Sequence, residues 1–350
     1  DFALAYYNLG FILKDLGELQ EAKLHTINAI NINPELTDAY YSLSTISESD
    51  TNQEWHKQLF SKNLFHNKSN RELVNILFAR SNILHKQKNY KESSENLIAA
   101  NTLKLKMHKS DANWLIKKTD ELNLTTNNYK NNCREISEAP ISIFIVGLPR
   151  CGSTLVESII SMNSKVKDLG EVNIFEEAFK ECKKSNQESY ISESYIEKIG
   201  IPNNKTTITT NKWLYNYQYS GIIAKTIPNA KIIHCYRNPL DNILSMYRAH
   251  FATGNNFSSS LVDAAAVYFD QEEIMEKYKK EFKNQIYELN YDELVTHPEE
   301  EIKSLIGWLG WKWNDLYLSP HLNKRKVSTR SNVQVRSSIN AKSLGGWKNY

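Results

Sequence analysis

The sequence predicts an α-helical repeat solenoid followed by an α/β, P-loop-like domain with a mostly parallel sheet. Three observations carry this. A 34-residue repeat opens the chain, β-branched runs alternate with helical stretches after Pro140, and a glycine turn joins the first such run to the first helix.

The repeat comes first. Ala5-Tyr6-Tyr7-x-Leu9 aligns with Ala39-Tyr40-Tyr41-x-Leu43, and Leu9-Gly10, Ala22, Ala29 and Pro34 fall where a tetratricopeptide unit needs small or helix-ending residues. A degenerate third unit runs from Ile76 to Ala100, with Tyr90 at the inter-helix turn and Ser81 in place of the glycine. Each hairpin exposes an apolar face that only a neighbour can cover, so the units stack. The tyrosines read first as packing residues, and the concave side of the stack as a surface for a peptide or partner. Residues 1–135 form this helical domain and 136–350 the second; a polar stretch running up to Pro140 separates them.

Beyond it, Ile141–Val146 reads as a first strand leading to a helix from about Thr154. Thr206–Thr210 and Lys231–Tyr236 are further strands, the latter followed by a helix over Asp241–Phe251. Ile286–Leu289 is a fourth strand and Glu300–Leu309 a helix. Such alternation implies an α/β layer structure.

Composition sets the class. At 24% charged and 41% hydrophobic residues the chain reads as soluble and globular, and a net charge of +3 does not argue for nucleic acid. Its apolar runs fall far short of the ~20 residues that span a bilayer. Cys133, Cys151, Cys182 and Cys235 lack C-x-x-C pairing, so reduced thiols in a cytoplasm are the simplest expectation. The chain opens at Asp1 inside a repeat, which constrains localisation only weakly.

Gly147, Gly152, Ser153 and Thr154 follow the P-loop spacing G-x-x-x-x-G-K-[ST], except that Ser153 stands in the lysine position. Backbone N–H groups at the start of the following helix lack intrahelical acceptors, and the helix dipole adds positive charge, so an anion sits well there. Arg150 supplies the formal charge that the absent lysine does not. Cys151 is not in a phosphatase motif, because the sixth residue after it is Glu157 rather than arginine. A second anion site is expected at Tyr236-Arg237-Asn238-Pro239, with Ser245 two turns into the next helix. A helix-terminal salt bridge of Arg237 with Asp241 is the alternative. Two phosphate sites on one sheet edge suit a nucleotide with phosphates at both ends.

These residues resemble the sulfotransferases that use 3′-phosphoadenosine 5′-phosphosulfate (PAPS), specifically bacterial members with tetratricopeptide repeats, which are similar to tyrosylprotein sulfotransferases. The carriers are GLPRCGSTLVESII, DLGEV, TNKW, YRNPLDNILSMYR, YDELVTHPEE and the terminal STRSNVQVRSSI with SLGGWKNY. The resemblance implies that Arg150, Cys151, Gly152, Ser153 and Thr154 hold the 5′-phosphosulfate and that Arg237 with Ser245 holds the 3′-phosphate. It makes Glu171 the catalytic base and Lys212 the cation on the transferring group, with Arg150 and Ser328 beside them. Tyr291, Arg336 and Lys348 resemble parts that close over the nucleotide. The family loop more often reads Arg-Ser-Gly-Thr-Thr, and an arginine usually stands where Lys348 does; a lysine cannot fork onto a phosphate.

Sulfuryl transfer of this kind needs in-line positioning and charge stabilisation, with a carboxylate to take the acceptor's proton. No metal is expected. A P-loop kinase is the rival enzyme, opposed by the missing lysine and the lack of a clear Walker-B aspartate. A repeat scaffold with an inactive nucleotide-binding domain is the other rival, opposed by the joint presence of Glu171, Lys212, Arg237 and Ser245. The acceptor, a protein or a carbohydrate hydroxyl or amine, is open, as is a homodimer built through the repeats. His234 and the Trp308–Trp313 cluster read as packing residues, and Lys324–Lys326 as a basic turn near Ser328.

Overall fold

The computed structural model describes residues 2–47, 53–129, 140–185, 187–200, 208–251, 254–323 and 334–350. Seven helices come first: α1 (Phe2–Leu16), α2 (Leu19–Ile32), α3 (Thr37–Ile46), α4 (Glu54–Phe60), α5 (Asn70–Lys86), α6 (Tyr90–Met107) and α7 (Ala112–Thr126). Consecutive helices α1 to α3 pack on one another, α3 on α5, and α5 on α6. Small residues set the close crossings. A Cβ on Gly10 would meet Thr26 Oγ1 at 2.7 Å, and at the equivalent point of the third hairpin Ser81 Oγ lies 2.9 Å from Ser93 Oγ. A capping box, Ser69 with Glu72, starts α5 and satisfies two otherwise orphaned donors.

The two aligned copies differ in burial. Ala39, Tyr40 and Leu43 are fully buried, whereas Leu9 is 42% exposed. The second hairpin is also irregular, since α4 is only seven residues long.

The α/β part contains β1 (Ile141–Gly147), α8 (Ser153–Ile160), β2 (Val166–Asp168), α9 (Ile174–Lys184), α10 (Ile191–Ile199), β3 (Ile208–Asn211), α11 (Ser220–Thr226), β4 (Ala230–Tyr236), α12 (Pro239–Tyr247), α13 (Leu261–Glu281), β5 (Ile286–Asn290), α14 (Tyr291–Thr296) and α15 (Pro298–Trp308). The sheet order is β2-β3-β1-β4-β5, and all four pairings are parallel. β1 is central and buried on both faces, as its near-continuous apolar run requires. Phe144 and Val146 face one core with Phe175, Tyr195 and Met246, while Ile143 and Ile145 face the other with Val156, Leu294 and Leu305. Each such side chain contributes about 1.5–3 kcal/mol on burial.

Three details depart from the sequence reading. β2, Val166-Lys167-Asp168, is too short and polar to show as a strand and exists because it pairs with β3. The helix expected over Asp241–Phe251 begins two residues earlier, where Asn238 caps it by accepting from Leu240 and Asp241 N–H and Pro239 occupies the first turn. Helix α7, which precedes the boundary expected at 135–136, contributes Ala112, Leu115 and Leu122 to the α/β core.

The helical region docks on the end of α12. Asn101 Nδ2 donates to Tyr247 O at 3.0 Å, and His250 stacks on Phe78 with ring centres 4.8 Å apart. Among the described residues no helix is long and apolar enough to cross a membrane.

Candidate active site

All five strands deliver a residue of the site at their carboxyl edge. β1 leads into Arg150 and Gly152, β2 into Glu171, β3 into Lys212, β4 into Arg237 and β5 into Tyr291. Because the sheet is wholly parallel, these five loops share one rim. The chain passes from β3 to β4 across β1, and open α/β sheets bind ligands at such a crossing.

The loop after β1 is shaped by backbone geometry. Arg150 sits at φ +72°, a left-handed conformation costing a non-glycine residue about 1–2 kcal/mol. Gly152, at φ +95°, caps α8, so Ser153 and Thr154 open the helix. Asn242 Nδ2 holds the loop from α12 by donating to Pro149 O at 2.8 Å. The turn at Arg150 sends its side chain across α12, where Nε donates to Ser245 Oγ at 3.1 Å. Ser245, expected from the sequence to share a phosphate with Arg237, is thus bonded directly to Arg150.

The half-buried Arg150 guanidinium is pulled down to about 10 by burial, with the charges of Arg237 and Arg248 adding to the effect and Tyr41 and Tyr291 opposing it. Three arginines thus concentrate positive potential at this rim. Tyr41 belongs to α3, and its ring centre stands 5.0 Å from that of His250, just past α12. Cys151 is buried beside Cys235. Hydrogen bonding from the Cys235 thiol, then donors of Ser153 and the nearby Lys212, draw the Cys151 thiol down against burial, and burial pushes Cys235 up.

Glu171 and Lys212 meet. Lys212 N–H donates to Gly170 O at 2.9 Å, extending the β2–β3 pairing past the strand ends. Asn211 braces both segments: its Nδ2 donates to Val172 O and its Oδ1 accepts from Trp213 N–H. The result is a 2.6 Å bond from Lys212 Nζ to Glu171 Oε1. A second carboxylate, Glu157 of α8, lies 3.7 Å from the same ammonium. Sequence reasoning passed over Glu157, because a glutamate inside a helix signals solvent exposure.

Arg237 is buried among acceptors. It donates to Ser343 O, its guanidinium lies 4.9 Å from the centre of the Tyr291 ring, and Asp241 and Asp292 stand 3.8 and 3.7 Å away. Tyr291 Oη lies 2.9 Å from Ser343 Oγ. Asp241 accepts from Gly345 and Trp347 N–H, so the carboxyl-terminal segment is laid over the start of α12. Two other expected residues point elsewhere. Arg336 donates to Asn323 O and, at the end of α1, to Asp15 O; Lys348 is exposed, with its ammonium 6.0 Å from the Trp347 ring centre. Ser328 and Lys324–Lys326 lie outside the described residues. His234 is a packed core residue 2.6 Å from Gln271 Nε2, and Trp308, Trp311 and Trp313 pack on the second core.

An anion fits these residues. Arg237 Nε and Arg248 Nε are buried donors without a hydrogen-bond acceptor among the described residues, an arrangement that is costly until an anion supplies one.

The Sulfotransferase family model matches residues 177–315, a span that begins after the loop and Glu171. An uncharacterized protein of Aquifex aeolicus (strain VF5) is 28% identical over 97% of this chain, which spans about half (47%) of that relative's length. A putative protein-tyrosine sulfotransferase of Caenorhabditis briggsae is 23% identical, covering 59% of this chain and 80% of its own. Among solved structures, the sulfotransferase domain of the Synechococcus PCC 7002 olefin synthase aligns with a TM-score of 0.46 at 15% identity, covering 63% of this chain and 92% of that one.

Proposed function

We propose that this chain, a sulfotransferase-family protein distantly related to protein-tyrosine sulfotransferases, moves a sulfuryl group from PAPS to a hydroxyl acceptor. The observation that carries the reading is the convergence of a carboxylate–ammonium pair, Glu171 and Lys212, with two arginine-bearing anion sites on one sheet rim.

In this reading the loop at Gly152–Thr154 and Arg150 hold the 5′-phosphosulfate, and Arg237 holds the 3′-phosphate. PAPS supplies the activated sulfuryl group. Glu171, the more exposed member of the pair, takes the acceptor's proton. Lys212, fully buried beneath it, stabilises the charge that develops on the sulfuryl oxygens. Tyr291 covers the loop and, with Ser343, closes the donor side. The α1–α6 region acts as a tetratricopeptide-type stack that presents the acceptor. A peptide tyrosine is the acceptor class to test first, since related proteins bear that name and Tyr41 brings the stack to Arg150.

Calorimetric titration with 3′-phosphoadenosine 5′-phosphate (PAP), ADP and ATP tests the reading. Binding of PAP in preference to both controls is expected. Preference for ATP would favour a kinase, and no binding a scaffold.

A further inference from the structure

Glu157 lies one turn after Ser153 on α8, on the same helix face. Its side chain is 2% exposed and faces Lys212, itself 1% exposed, at 3.7 Å; Glu171, 45% exposed, binds the same ammonium at 2.6 Å. We propose that Glu157 is a positioning residue for sulfuryl transfer, tying the Lys212 ammonium to the helix that opens the phosphate loop while Glu171 is engaged with the acceptor. The proposal rests on the PAPS reading above.

Once Glu171 turns to an acceptor hydroxyl it no longer serves as counter-ion, and a buried ammonium left alone is strongly disfavoured. Glu157 removes that penalty from a position the solvent does not reach. At 3.7 Å it is beyond hydrogen-bond distance, so it holds Lys212 by charge and leaves the ammonium's three N–H donors able to turn. The shared helix matters as well. Lys212 rides on the end of β3 and the loop on the end of β1, and Glu157 links the two through α8.

The test compares Glu157→Gln and Glu157→Asp with the parent, using radiolabelled PAPS and water as acceptor. That reaction yields PAP and sulfate as the S–O bond to the donor phosphate breaks, one to water's oxygen forms, and water's proton passes to Glu171. PAP affinity is measured in parallel by calorimetry. Glu157→Gln is expected to bind PAP within about threefold of the parent, keep its KM for PAPS, and lose about 10²-fold in kcat, the cost of a misplaced catalytic group. Glu157→Asp, which keeps the charge, should recover part of that loss. Parent-like kcat in Glu157→Gln overturns the proposal, as does a joint loss of PAP affinity and rate, which marks a purely structural ion pair. Should Glu157→Gln not fold, Glu157→Asp decides: lowered kcat at unchanged PAP affinity supports the role, and parent-like kcat removes it. A parent that neither binds PAP nor consumes PAPS overturns the donor reading itself, and the role of Glu157 with it.

Discussion

The ring of Tyr291 lies so close over Gly152 that a Cβ on the glycine would overlap Cδ2 and stand 2.9 Å from Cγ. Tyr291 follows β5 and Gly152 caps α8, so the contact joins two loops of the rim. The contact requires a residue without a side chain, and the φ of +95° favours the same choice.

Gly152→Ala is therefore expected to displace Tyr291 and strain the loop together. PAP binding should weaken at least about tenfold, the equivalent of roughly 1.4 kcal/mol. Titration calorimetry reads it directly, and an unchanged Kd would mean that the loop does not hold the donor.

Arg237→Ala should weaken PAP by about 1.5–3 kcal/mol, the usual worth of hydrogen bonds to a charged group. Adenosine 5′-phosphosulfate, which lacks the 3′-phosphate, should bind the variant and the parent alike. Equal losses for both ligands would place Arg237 elsewhere than on the 3′-phosphate.

Glu171 and Lys212 should separate in stability. Glu171 is half-exposed, and its removal leaves the buried Lys212 ammonium facing Glu157, so Glu171→Ala should keep its Tm and PAP affinity while losing turnover. Lys212→Met removes the buried ammonium that Glu157 faces and should cost about 3–5 kcal/mol, visible as a clear fall in Tm. Similar Tm values for the two variants would contradict the burial described here.

A pH-dependent term is expected from Asp270 on α13, which accepts from Thr119 Oγ1 of α7 at 2.8 Å. Burial, the largest cause, pushes its carboxyl from an ordinary value near 3.8 up to about 6, against the Thr119 hydrogen bond. The folded state then holds the proton more tightly than the unfolded state, so stability from this group falls as pH rises from about 4 to 6 and is flat above. Asp270→Asn keeps an acceptor for Thr119 and has no charge to bury. Its Tm should exceed the parent's at pH 7.5 and match it near pH 4; a gain of equal size at both pH values would contradict the assignment.

Local pattern made much of this molecule legible. The run Ile141–Val146 cannot avoid being a buried strand, and Gly152 followed by Ser153-Thr154 cannot easily be anything but a left-handed cap opening a helix. The 34-residue spacing told of stacked hairpins for the same reason: side-chain size at Gly10 and Ser81 sets how closely helices approach. Arg150 and Arg237 could be proposed as anion ligands because they lie beside strand ends. Glu171 and Lys212 were legible only through resemblance to a family, since each taken alone is an ordinary surface residue type.

What the sequence determined by itself is the set of elements and their carboxyl-terminal loops, because backbone sterics and hydrophobic periodicity act over a few residues. What tertiary structure alone decided is which of those loops meet. The order β2-β3-β1-β4-β5 sets Lys212 against Glu157 and Glu171, and the left-handed turn at Arg150 makes that arginine the partner of Ser245. The carboxyl-terminal segment likewise commits Ser343 to Arg237 and sends Arg336 to the end of α1. Such pairings join residues that are distant in the chain, and their energies exist only once the sheet has closed around β1.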